Sequence, residues 1–513
     1  MANRTSALFV KVLLVAVWFA PVFAEPAPAG DHRARVEAAA YAIGFPGPDQ
    51  PQLTFPQWMN LLRVPAISVA VIDDYKIAWT AQYGIADIER SQQLSPHTLF
   101  QAGSISKSVN AFGIMRLVQQ GRLTLDEDVN RRLKAWKVPE NEFTQREKVT
   151  LRRILSHTAG LTVQGFPGYA VNEPAPTLLQ VLDGQNPANT KPVRVDLVPG
   201  TKLRYAGGGT IISQLLLSET TGEPYERWMQ KNVIDPIGMS NSSYENPPGK
   251  ARAALTATGY RATGQPVEGR WHVYPEMAAA GLWTTPTDLA KFGIEVMRAL
   301  KAESTLLSRE TAEAMLTEQK SLISTSTPAG NGAALGFFVD TKTGRFGHPG
   351  ADEGFQALLV CFRSGKGVAV MTNSDFGTEA AHRLVWNIAR EYGWDYDIPK
   401  PSVAGALFTL TMRDGASAAI AAARRALQQA DLPLARSPRF ALNAASGLIN
   451  ARRWSDALAL LDFQLELLPN ADDVYAARAY IYEQTGKRED AVRAAKRALE
   501  LNPNNDHAKS LLK

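Results

Sequence analysis

Phe100-Gln101-Ala102-Gly103-Ser104-Ile105-Ser106-Lys107-Ser108 is the stretch on which the reading of this chain turns. Val109, Phe112, Ile114, Met115, Leu117 and Val118 follow it as a mostly apolar run with helical spacing, which Gly121 ends. Ser104 then falls in the first turn of that helix, with Lys107 three residues on along the same face. A serine hydroxyl with a lysine amine in reach makes a nucleophile–base pair, the amine taking the proton as the oxygen attacks. The bare pattern carries little. Ser510 and Lys513 repeat it with nothing around them, and on spacing alone Ser104 is equally an ordinary helix cap. The surroundings have to decide.

Upstream, residues 66–72 and 76–80 alternate as two strands around Asp73-Asp74-Tyr75, a hairpin. Residues 122–320 are mostly helical patches parted by Gly/Pro-rich loops. Strands return at 335–340, 344–348, Phe355–Phe362 and 367–372, and an amphipathic helix at 378–392 follows. Strands at both ends with helices between predict one antiparallel sheet that joins the first and last segments, flanked by helices: an α+β fold.

Beyond Pro399 and Pro401 the composition turns to Ala/Leu/Arg-rich helix, and an internal repeat emerges. Residues 440–473 and 474–507 superimpose, Ala445 on Ala479, Ala457 on Ala491 and Pro469 on Pro503. The second unit carries Ala479, Tyr482, Gly486, Ala491, Ala498 and Pro503 at tetratricopeptide positions. Residues 415–429 look like half of an earlier, degenerate unit. The expected tail is all-α helical repeat, offering a surface for a protein partner.

At the other end, Arg4 and Lys11 flank the apolar run 12–20, and Val22-Phe23-Ala24 gives a small-x-small exit. This reads as a signal peptide, which makes the protein exported, periplasmic or secreted. An uncleaved anchor is the rival, but the apolar core is short for a span. The expected organisation is signal peptide 1–24, leader 25–50, the α+β domain 51–397 and repeats 402–513. Removing Arg4 and Lys11 takes the formal charge from +5 to +3. So mild a surplus, spread along the chain, argues against nucleic-acid binding. The single cysteine, Cys361, reads as a buried strand thiol.

Two further segments belong with the serine–lysine pair. Arg204-Tyr205-Ala206-Gly207-Gly208-Gly209 opens an apolar helix, and a tyrosine oxygen delivered at that corner can share proton traffic with Lys107. Gly347-His348-Pro349-Gly350-Ala351 ends a strand. Proline removes a ladder donor there, which predicts an edge strand. Lining a cleft, that strand offers the Ala351 N–H, with that of Ser104, as an oxyanion hole, and Gly350 allows the close approach.

Taken in order, the three segments resemble the serine β-lactamase and penicillin-binding-protein family, closest to its class C, D,D-peptidase and esterase branch. The resemblance covers roughly residues 52–395. Its S-x-x-K is Ser104 to Lys107, its Y-x-N falls on Tyr205-Ala206-Gly207, and its K/H-x-G on His348-Pro349-Gly350. Gly121-Arg122-Leu123-Thr124-Leu125-Asp126 and His157-Thr158-Ala159-Gly160-Leu161 agree with the family as well. The resemblance implies an acyl-enzyme mechanism. Ser104 attacks a carbonyl, Lys107 and Tyr205 shuttle its proton, and His348, Gly350 and Gly207 contact the substrate. Which of Lys107 and Tyr205 is the base stays open. Lys107 needs a lowered pKa to accept a proton.

Two of the motifs depart from the family. Gly207 lacks the amide side chain usual at its position, a bond typically worth ~1.5–3 kcal/mol to a charged group. His348 replaces a lysine and charges only toward pH 6 at its ordinary pKa, and Pro349 lacks the usual hydroxyl. These changes weaken the hold on an anionic β-lactam more than they weaken hydrolysis. The expectation is an exported serine hydrolase of small esters or of D-amino-acid amides and peptides, with weak or no β-lactamase activity. The alternative is a catalytically inactive penicillin-recognising fold whose tail recruits a partner. No G-x-S-x-G, H-E-x-x-H or P-loop pattern occurs, the seven histidines are scattered, and no metal or cofactor is implied.

Overall fold

The structure, a computed structural model, describes residues 31–45, 50–321, 327, 329–398, 402–428 and 439–512. The segment read as a signal peptide lies outside the described residues, as do Pro399 and Pro401.

Two strands start the sheet. Ala66–Asp73 is apolar and buried almost throughout, and Lys76–Asp87 returns beside it. Asp74 and Tyr75 both have positive φ, 47° and 59°, as a two-residue hairpin turn requires. The second strand continues past the expected Thr80 because it still has a neighbour to pair with. The last strands of the domain complete the sheet. Its order is Lys320–Ser321, Gly332–Ala333, Phe338–Asp340, Arg345–Asp352, Phe355–Phe362, Lys366–Thr372, Ala66–Asp73, Lys76–Asp87 and Gln92–Gln93, antiparallel at every step. First and last segments therefore lie side by side at its centre, where Lys366–Thr372 pairs with Ala66–Asp73.

Alternate side chains leave a strand on opposite faces, and both faces are covered here. Ala70, Ile72, Leu359, Cys361, Ala369 and Met371 face a layer built from the helices Ile105–Gln119, Gly207–Thr221 and Pro286–Leu300. Val69, Val71, Leu358, Val360, Val368 and Val370 face Phe55–Leu61 and Gly377–Glu391. Each fully buried aliphatic side chain contributes about 1.5–3 kcal/mol, enough together to hold the two ends of the domain against each other. Strands covered on both sides read as continuous apolar runs, which is why Phe355–Phe362 is visible in the sequence to the residue.

Part of the stretch read as a leader is packed. Helix His32–Ala38 buries Val36, Asn387 donates to the Val36 carbonyl at 2.9 Å, and Arg35 pairs with Glu391 at 2.6 Å. A short strand, Ala40–Ala42, then pairs with Gln52–Thr54.

The tail is a run of helices: Val403–Asp414, Ala416–Gln428, Phe440–Asn450, Trp454–Leu467, Asp472–Gln484, Arg488–Leu501 and Asp506–Leu511. Trp454–Leu467 shifted by one repeat length falls on Arg488–Leu501, and the paired alanines Ala445, Ala479, Ala457 and Ala491 are all buried. Phe408 meets Phe376 with ring centroids 5.9 Å apart, and Phe45 is buried among tail residues, so the tail is seated on the first domain.

Candidate active site

Helix Ile105–Gln119 is buried on nearly every side, polar positions included. Each buried polar group has a fixed partner. Ser106 Oγ accepts from Leu282 N at 3.1 Å, Ser108 Oγ donates to the Gly336 carbonyl at 2.6 Å, and Asn110 Nδ2 donates to Ser213 Oγ at 2.9 Å. An unmet group at such a place costs about 1–3 kcal/mol, so these bonds fix the helix in rotation and height. The Asn110–Ser213 bond also ties it to helix Gly207–Thr221, which carries Tyr205 just ahead of its N-cap.

Ser104 occupies the N-cap position but makes no side-chain capping bond. Its Oγ instead lies 2.8 Å from Lys107 Nζ. Lys107 is 4% exposed, and Nζ also donates to the Ala279 carbonyl at 2.7 Å. Burial lowers its pKa to about 7, opposed by Asp352. Tyr205 lies against this pair, its ring centre 5.1 Å from Nζ and its hydroxyl beside Ser104. Burial pushes the phenol well above its ordinary value, so it stays protonated at neutral pH.

His157, noted in the sequence only within a flanking segment, holds this corner together. It adopts φ +57°, accepts from Ala206 N through Nδ1 at 3.2 Å, and packs its ring 4.3 Å from that of Tyr205. Burial and the neighbouring Lys107 drive its pKa well down, so it is a neutral acceptor. Only the histidine within that flanking segment signalled it. Asp352 and Glu276 had no signal in the sequence at all.

The strand Arg345–Asp352 closes the other wall. It is not the outer edge of the sheet. Phe338–Asp340 covers it as far as Gly347, and from His348 onward no described strand pairs with its outer side. Pro349 is tolerated because it lies in that unpaired part. A Cβ on Gly350 would sit 2.0 Å from the Ala102 carbonyl oxygen, and one on Gly103 2.4 Å from Ala351 N. The strand thus runs directly against the loop before Ser104, which brings the Ser104 and Ala351 amides to the same end of the cleft.

His348 differs from expectation. It is 2% exposed, and its Nδ1 lies 2.5 Å from the Pro349 carbonyl, which only accepts, so Nδ1 carries the proton. Its ring packs 4.9 Å from Phe338 and 5.9 Å from Tyr205. Burial, with Lys107 nearby, holds its pKa at about 3. It therefore does not charge as pH falls to 6. Gly207 is buried against Phe166, whose ring carbon would stand 2.9 Å from a Cβ there, and it is not among the residues lining the cleft. The space an asparagine would need is taken.

The cleft has a volume of about 750 Å³ and opens onto Ser104, Tyr205, Phe338, His348 and Ala351. Lys202 and Lys320 also line it, and among the described residues no Asp or Glu does. Among the described residues no cluster of metal-ligating side chains occurs, and no helix is long and apolar enough to cross a membrane.

Known proteins resemble this chain in sequence and in fold. The family model described as Beta-lactamase matches residues 55–392. Protein flp of Staphylococcus aureus strain N315 is 24% identical over 322 residues, 61% of this chain and 60% of its own length. A Beta-lactamase of Pseudomonas fluorescens is 26% identical over 251 residues, 48% of this chain and 64% of that one. The match thus spans about three fifths of these relatives. Among solved structures, the octameric penicillin-binding protein homologue from Pyrococcus abyssi aligns with a TM-score of 0.56 at 23% identity, over 68% of this chain and 78% of that chain. SurE aligns with a TM-score of 0.50, also at 23% identity, over 68% and 77%. Residues 55–392 match that family model and the sheet and helix layers share the solved fold, so the chain belongs to the Beta-lactamase family.

Proposed function

We propose that this protein is an exported serine hydrolase that forms an acyl-enzyme on small esters or on D-amino-acid amides and peptides. One observation carries the reading: a buried lysine with pKa about 7 lies 2.8 Å from an uncapped serine hydroxyl at the floor of a cleft. With Lys107 neutral, the Ser104 hydroxyl donates to Nζ while Nζ keeps its bond to the Ala279 carbonyl. Oγ attacks the substrate carbonyl carbon and its proton passes to Nζ. The resulting oxyanion lies between the Ser104 and Ala351 amides. Tyr205, held as a phenol, relays the proton to the leaving oxygen or nitrogen. Water then cleaves the acyl ester by the reverse route. Lys107 is the base in this scheme, because at neutral pH the phenol has no proton vacancy.

The tail belongs to the same proposal as tetratricopeptide-type repeats that bind a protein partner, supported by helix boundaries that recur at the repeat length. Residues 1–24 remain its signal peptide. For the substrate, His348, Pro349 and Gly207 supply no cation, hydroxyl or amide to a carboxylate beside the reacting carbonyl. The test compares a p-nitrophenyl ester with a chromogenic cephalosporin. The ester is expected to show clearly higher kcat/KM, with both activities lost in Ser104→Ala. Cephalosporin turnover equal to or above the ester's would overturn the preference, and ester turnover surviving in Ser104→Ala would overturn the mechanism.

A further inference from the structure

Two buried carboxyl groups stand behind the Ser104–Lys107 pair, and no step above uses them. Asp352 directly follows Ala351, is 8% exposed, and its Oδ2 meets no partner at hydrogen-bond geometry, although the Gly103 amide and the Tyr274 hydroxyl stand beside the carboxyl. Glu276 is fully buried, and neither of its carboxylate oxygens meets a partner at hydrogen-bond geometry, although the Tyr169 hydroxyl stands beside it. It is the N-cap residue of Met277–Ala280, the turn whose Ala279 carbonyl accepts from Lys107. Buried polar groups left this way are uncommon and call for a cause.

The placement supplies one. Asp352 faces Lys107, the Gly103 amide, Glu276 and the Tyr274 hydroxyl. Lys107 faces Asp352, the Tyr205 ring, His157 and His348. Both histidines are held neutral and Tyr205 is held as a phenol. Among the described residues facing Lys107, this leaves Asp352 as the one able to place a negative charge beside it. Glu276 in turn faces Tyr169, Tyr274 and Asp352.

We infer that Asp352 is a positioning residue that sets the protonation of Lys107 through space, and that Glu276 sets Asp352 in turn. The inference rests on Lys107 being the base. A carboxylate at Asp352 stabilises the Lys107 ammonium and so withholds the free base. A carboxylate at Glu276 opposes ionisation of Asp352 by like charge and so releases the base. Burial raises both carboxyl pKa values, Glu276 to about 7 and Asp352 well above its ordinary value.

Opposite signs make the test specific. The pH profile of kcat/KM for p-nitrophenyl acetate is measured for wild type, Asp352→Asn and Glu276→Gln. The acid limb is expected to move down by about one pH unit in Asp352→Asn and to move up in Glu276→Gln, the scale of one close charge. A role in packing alone lowers kcat/KM and leaves the limb in place. Unmoved limbs, or shifts of the same sign, overturn the assignment. Should one variant fail to fold, the other decides by its own sign. Infrared difference titration of the wild type adds a readout without substitution: a buried protonated-carboxyl band is expected below neutral pH, and its absence overturns the relay. Fluorophosphonate labelling separates this inference from the hydrolase reading. No label on wild-type Ser104 removes the nucleophile itself, whereas labelling with unmoved limbs removes only the roles of Asp352 and Glu276.

Discussion

Lys107 is where burial and function meet. Its amine titrates at about 7 in the folded chain, against an ordinary value near 10.4. Above about pH 7 the folded protein holds fewer protons here than the unfolded one, so the cost of burying the lysine falls as pH rises from 7 toward 10. Lys107→Met is accordingly expected to raise the melting temperature, more at pH 7 than at pH 9.5. An equal rise at both values contradicts the lowered pKa. The same substitution is expected to slow acylation by about 10²–10⁴-fold, the usual range for lost acid–base help, and stopped-flow ester hydrolysis checks it. His348 gives a second pH prediction. With its pKa at about 3, it is neutral across the working range, and the pH dependence of KM for a carboxylate-bearing ester from about pH 5.5 to 8.5 is expected to be the same in His348→Gln as in the wild type. Lys202 and Lys320 are the cations that line the cleft, so raised salt is expected to increase that KM and leave KM for a neutral ester unchanged. A fall in KM toward pH 6 that His348→Gln abolishes would mean that His348 charges after all.

The strand Arg345–Asp352 is the element on which the site depends, through its approach to the Ala102–Gly103 loop. Gly350→Ala sets a methyl carbon 2.0 Å from a carbonyl oxygen if nothing moves, so the strand must retreat from Ser104. The expected result is a stability loss of about 1–3 kcal/mol together with a fall in ester kcat/KM, read by urea denaturation and by ester hydrolysis. Unchanged activity would show that the approach is not needed. The glycine itself was legible in the sequence, as were the hairpin, the serine helix and Phe355–Phe362, because each has its own local signature: alternation, helical spacing or a turn. Other features were not legible for the opposite reason. The partial cover that Phe338–Asp340 gives to Arg345–Asp352 is a long-range pairing. The neutrality of His348 comes from burial by Phe338 and Tyr205, far apart in the chain. The approach of Asp352 to Lys107 and to Glu276 joins segments far apart in the chain. Gly207 reads as a missing amide in the sequence and as a space filled by Phe166 in the structure.

At the scale of the whole molecule, the tail and the layers of the Beta-lactamase-family domain share a seam. Phe376 meets Phe408, Leu410 packs over Gly44, and Phe45 is buried among tail side chains. Helix Gly377–Glu391 stands at this seam, while its Thr378, Ala381 and His382 line the cleft. Truncation after Gly486 removes the helix that covers Ala476 and Ala479 and is expected to cause aggregation. Removal of everything from Ser402 onward uncovers only the seam. It is expected to leave a soluble but less stable domain, as size-exclusion chromatography and melting curves would show. Equal behaviour of the two truncations would make the tail part of the hydrolase core. Reaction of the intact chain with a fluorophosphonate, followed by mass spectrometry of the protein and its peptides, tests the central claim most directly. The account predicts one adduct, on the peptide containing Ser104, absent in Ser104→Ala and forming faster as pH rises through 7. An adduct on another residue, or one that persists in Ser104→Ala, would contradict it.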